Sequence, residues 1–309
     1  MSAGERALFG PVWWPRLYAM SEIIQLTVSG VAMGVIYALA ALSIALIYTA
    51  GGVVNFCQGG LVMLGGYFAF TVLTAWHLPY WLGLVGMIAI MGCIGLVFQR
   101  LVYYPLRYAH RLMFIIAGIG VSVFLENFVQ IVWGPAPLMV RPMLDMDTLN
   151  IAGVFLEPQS VAIVLVTGAI LLFEHYFLRH TMIGKMTQAV AQDKDAASLM
   201  GINVGLMIAI TFLNSTILAG IAGVFIAPVF YVSVGIGSIL LKAFSACVVG
   251  GFGNASGTML GGLIVGLTET FGARYFSPQY RDAWSFVLLI LFLLFRPQGI
   301  FRERISEKA

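Results

Sequence analysis

Residues 22–48 read EIIQLTVSGVAMGVIYALAALSIALIY, and after Glu22 this run carries no charged side chain. Roughly 20 consecutive apolar residues cross the hydrocarbon of a bilayer as a helix, so a run of this length reads as a membrane span. Outward from it the same texture repeats. Hydropathy places further spans near 53–75, 80–99, 112–133, 160–178, 204–227, 238–252, 258–273 and 283–296, separated by short polar joints. The runs are too long for barrel strands, which would show as alternating segments of about ten residues. The fold class that follows is all-α: a polytopic transmembrane helical bundle of about 8–9 spans.

Composition points the same way. Of 309 residues, 61% are hydrophobic and 9% charged, where a soluble domain has about a quarter charged. The spans consume the length, so no separate soluble domain is expected. The net charge is +3, and the basic residues sit beside the spans without forming a face for phosphates, which argues against a nucleic-acid partner. Cys57, Cys93 and Cys247 lie in apolar runs with no metal-ligand spacing and read as small buried hydrophobes. Residues 1–20 read as an N-terminal extension. It is either an interfacial strip held by Trp13, Trp14, Arg16 and Tyr18 or a segment ahead of a start at Met20.

Two spans are glycine-rich, with GGVVNFCQGG at 51–60 and VVGGFGNASG at 248–257. Broken backbone at membrane depth survives only where protein or a water-filled cavity covers it, so both are expected to be re-entrant or interrupted. Met63-Leu64-Gly65-Gly66 is echoed by Met259-Leu260-Gly261-Gly262, each after such a break. Paired broken segments of this kind point to a transport pathway, with Asn55, Gln58 and Asn254 as its amides. Gly30-x-x-x-Gly34 and Gly262-x-x-x-Gly266 predict tight helix packing.

Orientation follows from lysine and arginine in the short loops. Arg100, Arg107 and Arg111, then Arg179 and Lys185, then Arg296, Arg302, Arg304 and Lys308 fall on one side. That side is expected to be cytoplasmic, with 302–309 as a cytoplasmic tail. The 134–159 loop, with Asp145, Asp147 and Glu157, lies opposite.

No HExxH, GxSxG or phosphate-loop motif is present, so catalytic residues and metal ligands are expected to be absent. Charge inside the spans is sparse and must face protein or water. Glu126, beside Asn127, reads either as a pathway residue or as a bond to a neighbouring helix. Glu174 reads as an interfacial residue snorkelling to head groups. Lys242 and Glu269 either pair or reach opposite interfaces.

The most polar joint is RHTMIGKMTQAVAQDKDAASLMGIN at 179–203. Residues 186–200 are expected to form one short helix with Met186, Ala189, Val190, Asp193, Ala197 and Met200 on one face, ended by Gly201. That face would have nothing in the chain to cover it. It suits either a docking surface or a strip lying on lipid head groups.

The runs AVAQDKDAASLMGINV (189–204), LKAFSACVVGGFGNASGTMLGGLIVGLTE (241–269) and LLFRPQGIF (293–301) resemble the permeases of the high-affinity branched-chain amino acid ABC transporters. GVAMGVIYALAALSIALIYTAGGVVNFCQGG (30–60) is similar to the same family. The likeness covers 21–301, the expected permease domain, and its length points to the smaller, H-type member of the permease pair. It implies a second permease subunit, two cytoplasmic ATP-binding subunits that hold ATP and Mg, and a periplasmic amino-acid-binding protein, assembled at the lipid bilayer of the inner membrane. No cofactor is implied in this chain. Carried over residue by residue, the ATPase coupling loop is Gln188, Ala189, Ala191, Gln192, Asp193, Ala196, Met200 and Gly201. Cys57 departs from the pattern, where the family has a histidine or similar polar residue. Related members move amides, urea or other small amino acids, so the likeness leaves the substrate open. An ion-coupled secondary carrier using Glu126 or Glu269 and a membrane-embedded enzyme are the rival readings of the residues alone.

Overall fold

The computed structural model describes residues 14–142, 149–151 and 154–301. The chain begins with α1 (Trp14–Gly51) and α2 (Gln58–Ala69), the latter continuing as a π turn (Phe70–Ala75). Then come α3 (Tyr80–Phe98), which runs through a π turn (Gln99–Tyr103) into α4 (Tyr104–Leu106), and α5 (Arg111–Trp133). The short strands β1 (Leu149–Ile151) and β2 (Val154–Leu156) pair antiparallel in the following loop. Next are α6 (Pro158–His180), α7 (Met182–Gln192), α8 (Lys194–Leu199) and α9 (Val204–Ile226). A 3-10 turn (Val234–Ser238) leads into α10 (Ile239–Gly250), followed by α11 (Ala255–Tyr275) and α12 (Ala283–Phe295). Among the described residues, 6 helices are long and apolar enough to cross a membrane. The chain is the helical bundle that hydropathy predicts. Asp145, Asp147 and the 302–309 tail lie outside the described residues, as do 1–13 of the N-terminal extension.

α1 is the axis. The most apolar part of this span is 94% buried, against 22% for α5, which therefore lies at the periphery. Ile36, Leu39, Leu42, Ile44 and Ile47 are fully enclosed. α11 runs antiparallel against α1, with Gly262 beside Ala38, Gly266 beside Gly34 and Leu267 beside Gly30. A Cβ on Gly266 would overlap the Gly34 backbone. The two small-residue motifs thus pack on each other. Lipid tails are as apolar as leucine, so close backbone contact is what holds such helices together.

The broken segments are more numerous than expected. Backbone at 52–57 is non-helical, and α2 starts inside the bundle, where Gln58 bonds Ser215 at the middle of α9. After α9 the chain is non-helical again until the 3-10 turn. This turn meets the start of α2, for a Cβ on Gly59 would overlap the Gly237 carbonyl oxygen. α10 has 12 residues, about 18 Å of helix against a hydrocarbon thickness of about 30 Å. Neither it nor α12, which has 13 residues, is long enough to cross alone, which corrects the expected spans at 238–252 and 283–296. The glycine-rich run at 248–257 is a turn between α10 and α11, with left-handed backbone at Gly251 (φ 106°) and Gly253 (φ 82°).

The C-terminal segment closes this turn. Ile300 and Phe301 N–H groups donate to the Val249 and Gly250 carbonyls, at 2.9 and 3.1 Å. These are terminal α10 carbonyls, which have no partner within their own helix. Cys57 and Cys247 are buried, whereas Cys93 is exposed on α3, so only two of the three cysteines fill the core.

Candidate functional site

Asn55 and Gln58 form one polar knot. The Asn55 Oδ1 accepts from the Cys57 N–H at 3.0 Å, and the Asn55 amide lies 3.5 Å from Gln58 Oε1. Gln58 Nε2 donates to the Ser215 hydroxyl at 3.1 Å, and Ser215 Oγ donates to the Ser43 carbonyl at 2.7 Å. Asn55 is 0% and Gln58 1% exposed. In this conformation their amides serve the fold.

The other pathway candidates lie apart from this knot. Gly118 of α5 approaches Asn55, and Glu126 sits two turns further along the same helix. Glu126 is half-buried and accepts from Ser122 Oγ at 3.3 Å, while exposed Asn127 donates to the Val123 carbonyl at 2.8 Å. Asn254 is the N-cap of α11, its Oδ1 accepting from the Gly257 N–H at 3.1 Å. Of the five candidates, the structure brings together only Asn55 and Gln58.

Lys242 and Glu269 do pair, and in doing so they assemble a cluster. Lys242 Nζ lies 3.0 Å from Glu269 Oε1 and 2.7 Å from Asp282 Oδ1, and donates to the Tyr37 hydroxyl at 3.2 Å. Arg281 Nε donates to the same Glu269 oxygen at 2.8 Å. Ser285 Oγ donates to the other, Oε2, at 3.4 Å. Sequence reasoning missed Tyr37, Arg281, Asp282 and Ser285. The available signal was the Arg-Asp pair placed directly before an apolar run, which read as an ordinary loop. Glu269 is spoken for by two cations, so it is not the free carboxyl that an ion-coupled carrier would require.

Glu174 is 3% exposed and accepts from the Asn214 amide at 2.5 Å. It points into the bundle and does not snorkel, because α9 offers an amide where a lipid interface would offer only water. Next to it, His175 Nδ1 lies 3.2 Å from Ser256 Oγ and ties α6 to the start of α11.

The polar joint at 181–201 is an elbow of two helices, not the single helix expected at 186–200. Thr181 caps α7 through the Gly184 N–H at 3.1 Å. Asp193 leaves helical geometry and caps α8, its Oδ1 accepting from Asp195 N and Ala196 N at 2.9 and 3.0 Å. An aspartate that satisfies two otherwise unpaired N–H groups is a preferred helix start, and here it interrupts the run. Gly201, with φ of 81°, then turns the chain towards α9.

The elbow's apolar face is partly covered by its own bundle, since Val190 and Ala197 are buried. What projects is Leu199 at 90% and Met200 at 83% exposure, with Gln192 and Ala196 also exposed. Gln188 donates to the Leu178 carbonyl at 2.8 Å and anchors α7 to the end of α6, while Ala189 and Ala191 are half-buried. Among the described residues no group of His, Cys, Asp or Glu could hold a metal ion.

A family model described as branched-chain amino acid transport system / permease component matches residues 26–295. The chain is 35% identical to the high-affinity branched-chain amino acid transport system permease protein LivH of Escherichia coli K12, across 92% of this chain and 97% of that protein. It is 33% identical to the corresponding protein BraD of Pseudomonas aeruginosa, across 95% and 99%. It is 28% identical to a probable branched-chain amino acid transport permease protein LivH of Methanocaldococcus jannaschii, across 85% and 87%. No solved structure matches the chain significantly.

Proposed function

The chain belongs to the family of permease components of branched-chain amino acid transport systems, and from that premise we propose that it is the membrane subunit through which an ATP-driven importer passes branched-chain or closely related amino acids. It works beside a second permease subunit, two cytoplasmic ATP-binding subunits that hold ATP and Mg, and a periplasmic binding protein that delivers the cargo. The bundle sits in the inner membrane with its C-terminus in the cytoplasm. Substrates of the amide or urea type are the alternative cargo.

The observation that carries this reading is the elbow. A short helix bearing Leu199 and Met200, both bare of intramolecular contacts that would shield them, is held rigidly by two caps and by Gln188. Exposed apolar side chains on an otherwise polar joint suit burial in a partner. Closure of the ATP-binding dimer would push this lever, and the lever is bonded to α6 and leads directly into α9. Both helices carry buried polar ties, Glu174–Asn214 and Ser215–Gln58, into the core of the bundle. Movement at the elbow thereby reaches the broken segments at 52–57 and 227–238, and alternating access follows from tilting them.

The test is purification of the chain in mild detergent with its associated subunits. Wild type and Asp193→Asn retain the ATP-binding subunits, because asparagine still caps α8. Leu199→Asp with Met200→Asp loses them while the chain stays monodisperse. Retention of those subunits by the double variant would refute docking at the elbow, and ATP-independent leucine uptake by the chain alone would refute the importer reading.

A further inference from the structure

The cluster around Glu269 has the composition of a receptor for a molecule bearing both charges. It contains two cations, Lys242 and Arg281, and two carboxylates, Glu269 and Asp282, so it is neutral as a whole. It also has a graded exposure. Glu269 is 0% exposed, Lys242 13%, Arg281 35% and Asp282 71%, so the Glu269–Lys242–Asp282 contacts lead from the core of the bundle to an exposed side chain.

The backbone around it is irregular in the right place. Lys242 stands in the first turn of α10, a helix that starts inside the bundle against Gly59. Arg281 and Asp282 lie on the turn between the Pro278–Tyr280 3-10 segment and α12. Non-helical backbone at membrane depth persists where it lines a cavity or is covered by protein. The buried amides Asn55 and Gln58 are engaged with each other, with Cys57 and with Ser215, whereas this cluster has an open side at Asp282.

The members of the cluster are not equivalent. Glu269 is fixed, since one oxygen accepts from both cations and the other accepts from Ser285. Asp282 holds Lys242 from the exposed side. The Asp282 side chain is 71% exposed, and an ion pair with one exposed partner is weak and readily exchanged. We propose that the Lys242–Asp282 pair is a recognition site for the zwitterionic head of an α-amino acid, resting on the transporter reading above and supplying its binding step within this chain. The ligand carboxylate replaces Asp282 on Lys242, and Asp282 takes the ligand ammonium. One ion pair becomes two with no change in net charge, and Glu269 with Arg281 stays in place as the fixed base. Phe230, which lies under the Arg281 guanidinium at 5.5 Å, and Leu241 on α10 are both partly exposed and offer apolar surface to a branched side chain.

The experiment is thermal unfolding of the purified full chain in lipid nanodiscs, titrated with leucine, with 4-methylpentanoate, which has the carboxylate alone, and with 3-methylbutylamine, which has the ammonium alone. On wild type, leucine reaches half-maximal stabilisation at a concentration at least about tenfold below that of either single-charge analogue. Asp282→Asn abolishes that advantage while binding 4-methylpentanoate at least as well as wild type, because the competing carboxylate is gone. Asp282→Glu restores it. Equal effects of leucine and 4-methylpentanoate on wild type would overturn the proposal, as would unchanged leucine binding by Asp282→Asn, and the wild-type comparison stands even where a variant fails to fold. No ATP enters this assay. A chain that recovers ATP-binding subunits on purification but does not distinguish the three ligands sinks only this inference, and a chain that distinguishes them but takes up leucine without ATP sinks only the importer.

Discussion

A carboxylate enclosed by membrane helices is stable only through the donors around it, and the chain solves this in two ways. Glu174 has one neutral donor, Asn214, while Glu269 has two cations and a hydroxyl. Leaving a buried acceptor without its donor costs about 1–3 kcal/mol, and breaking a buried ion pair from one side costs about 3–5 kcal/mol. Asn214→Leu is therefore expected to destabilise the chain by the smaller amount and Glu269→Gln by the larger. Asp282→Asn, whose side chain is 71% exposed, costs at most about 1 kcal/mol. Thermal unfolding in detergent orders the three, and a Glu269→Gln variant as stable as Asp282→Asn would show that the cluster does not anchor α10. Each of these charges was visible in the sequence as an expense. What the sequence lacked was the donor, because Asn214 and Arg281 are distant or sit in what reads as an unremarkable loop, and hydropathy does not register pairing between helices.

At the scale of elements, the sequence was most informative where a helix is long and apolar. The spans expected at 112–133 and 204–227 are α5 (Arg111–Trp133) and α9 (Val204–Ile226). Legibility fails where a helix is short. α10 was read as a crossing because its apolar composition continues through the 3-10 turn that precedes it, and composition does not reveal depth. The elbow was read as one helix because the i, i+3, i+4 pattern runs through Asp193, although an aspartate followed by good helix formers is also a start signal. The α1–α11 seam was legible as a tendency to close packing but not as a pair. Its prediction is steric: a methyl on Gly266 meets the Gly34 backbone, whereas one on Gly86 of α3 meets nothing within 4 Å. Gly266→Ala is expected to cost about 1–3 kcal/mol through overpacking, and Gly86→Ala to be neutral or slightly stabilising. Equal unfolding temperatures for the two variants would show that the seam yields without cost.

For the whole molecule, the helices sort the loops into two ends. α1 and α11 are antiparallel and joined by the Glu22–Arg274 ion pair, so the start of α1 and the 276–282 turn share one end. The elbow, the α10–α11 turn and the segment ending at Phe301 share the other, tied by the His175–Ser256 contact and the Phe301–Gly250 bond. Arg107, Arg111, Arg179, Lys185 and Arg296 belong to this second end. Positive charge in short loops stays on the cytoplasmic side during insertion, and the same end carries the surface suited to ATP-binding subunits. The two arguments are independent, since one concerns insertion and the other docking, and both support the orientation proposed above. Single reporters test it in a background where exposed Cys93 is replaced, Cys57 and Cys247 being buried. A membrane-impermeant maleimide added to intact cells is expected to label Gln279→Cys at once and Ser198→Cys only after permeabilisation. The reverse pattern would turn the bundle over, place Leu199 and Met200 outside, and leave the elbow unable to meet any subunit that draws on cytoplasmic ATP.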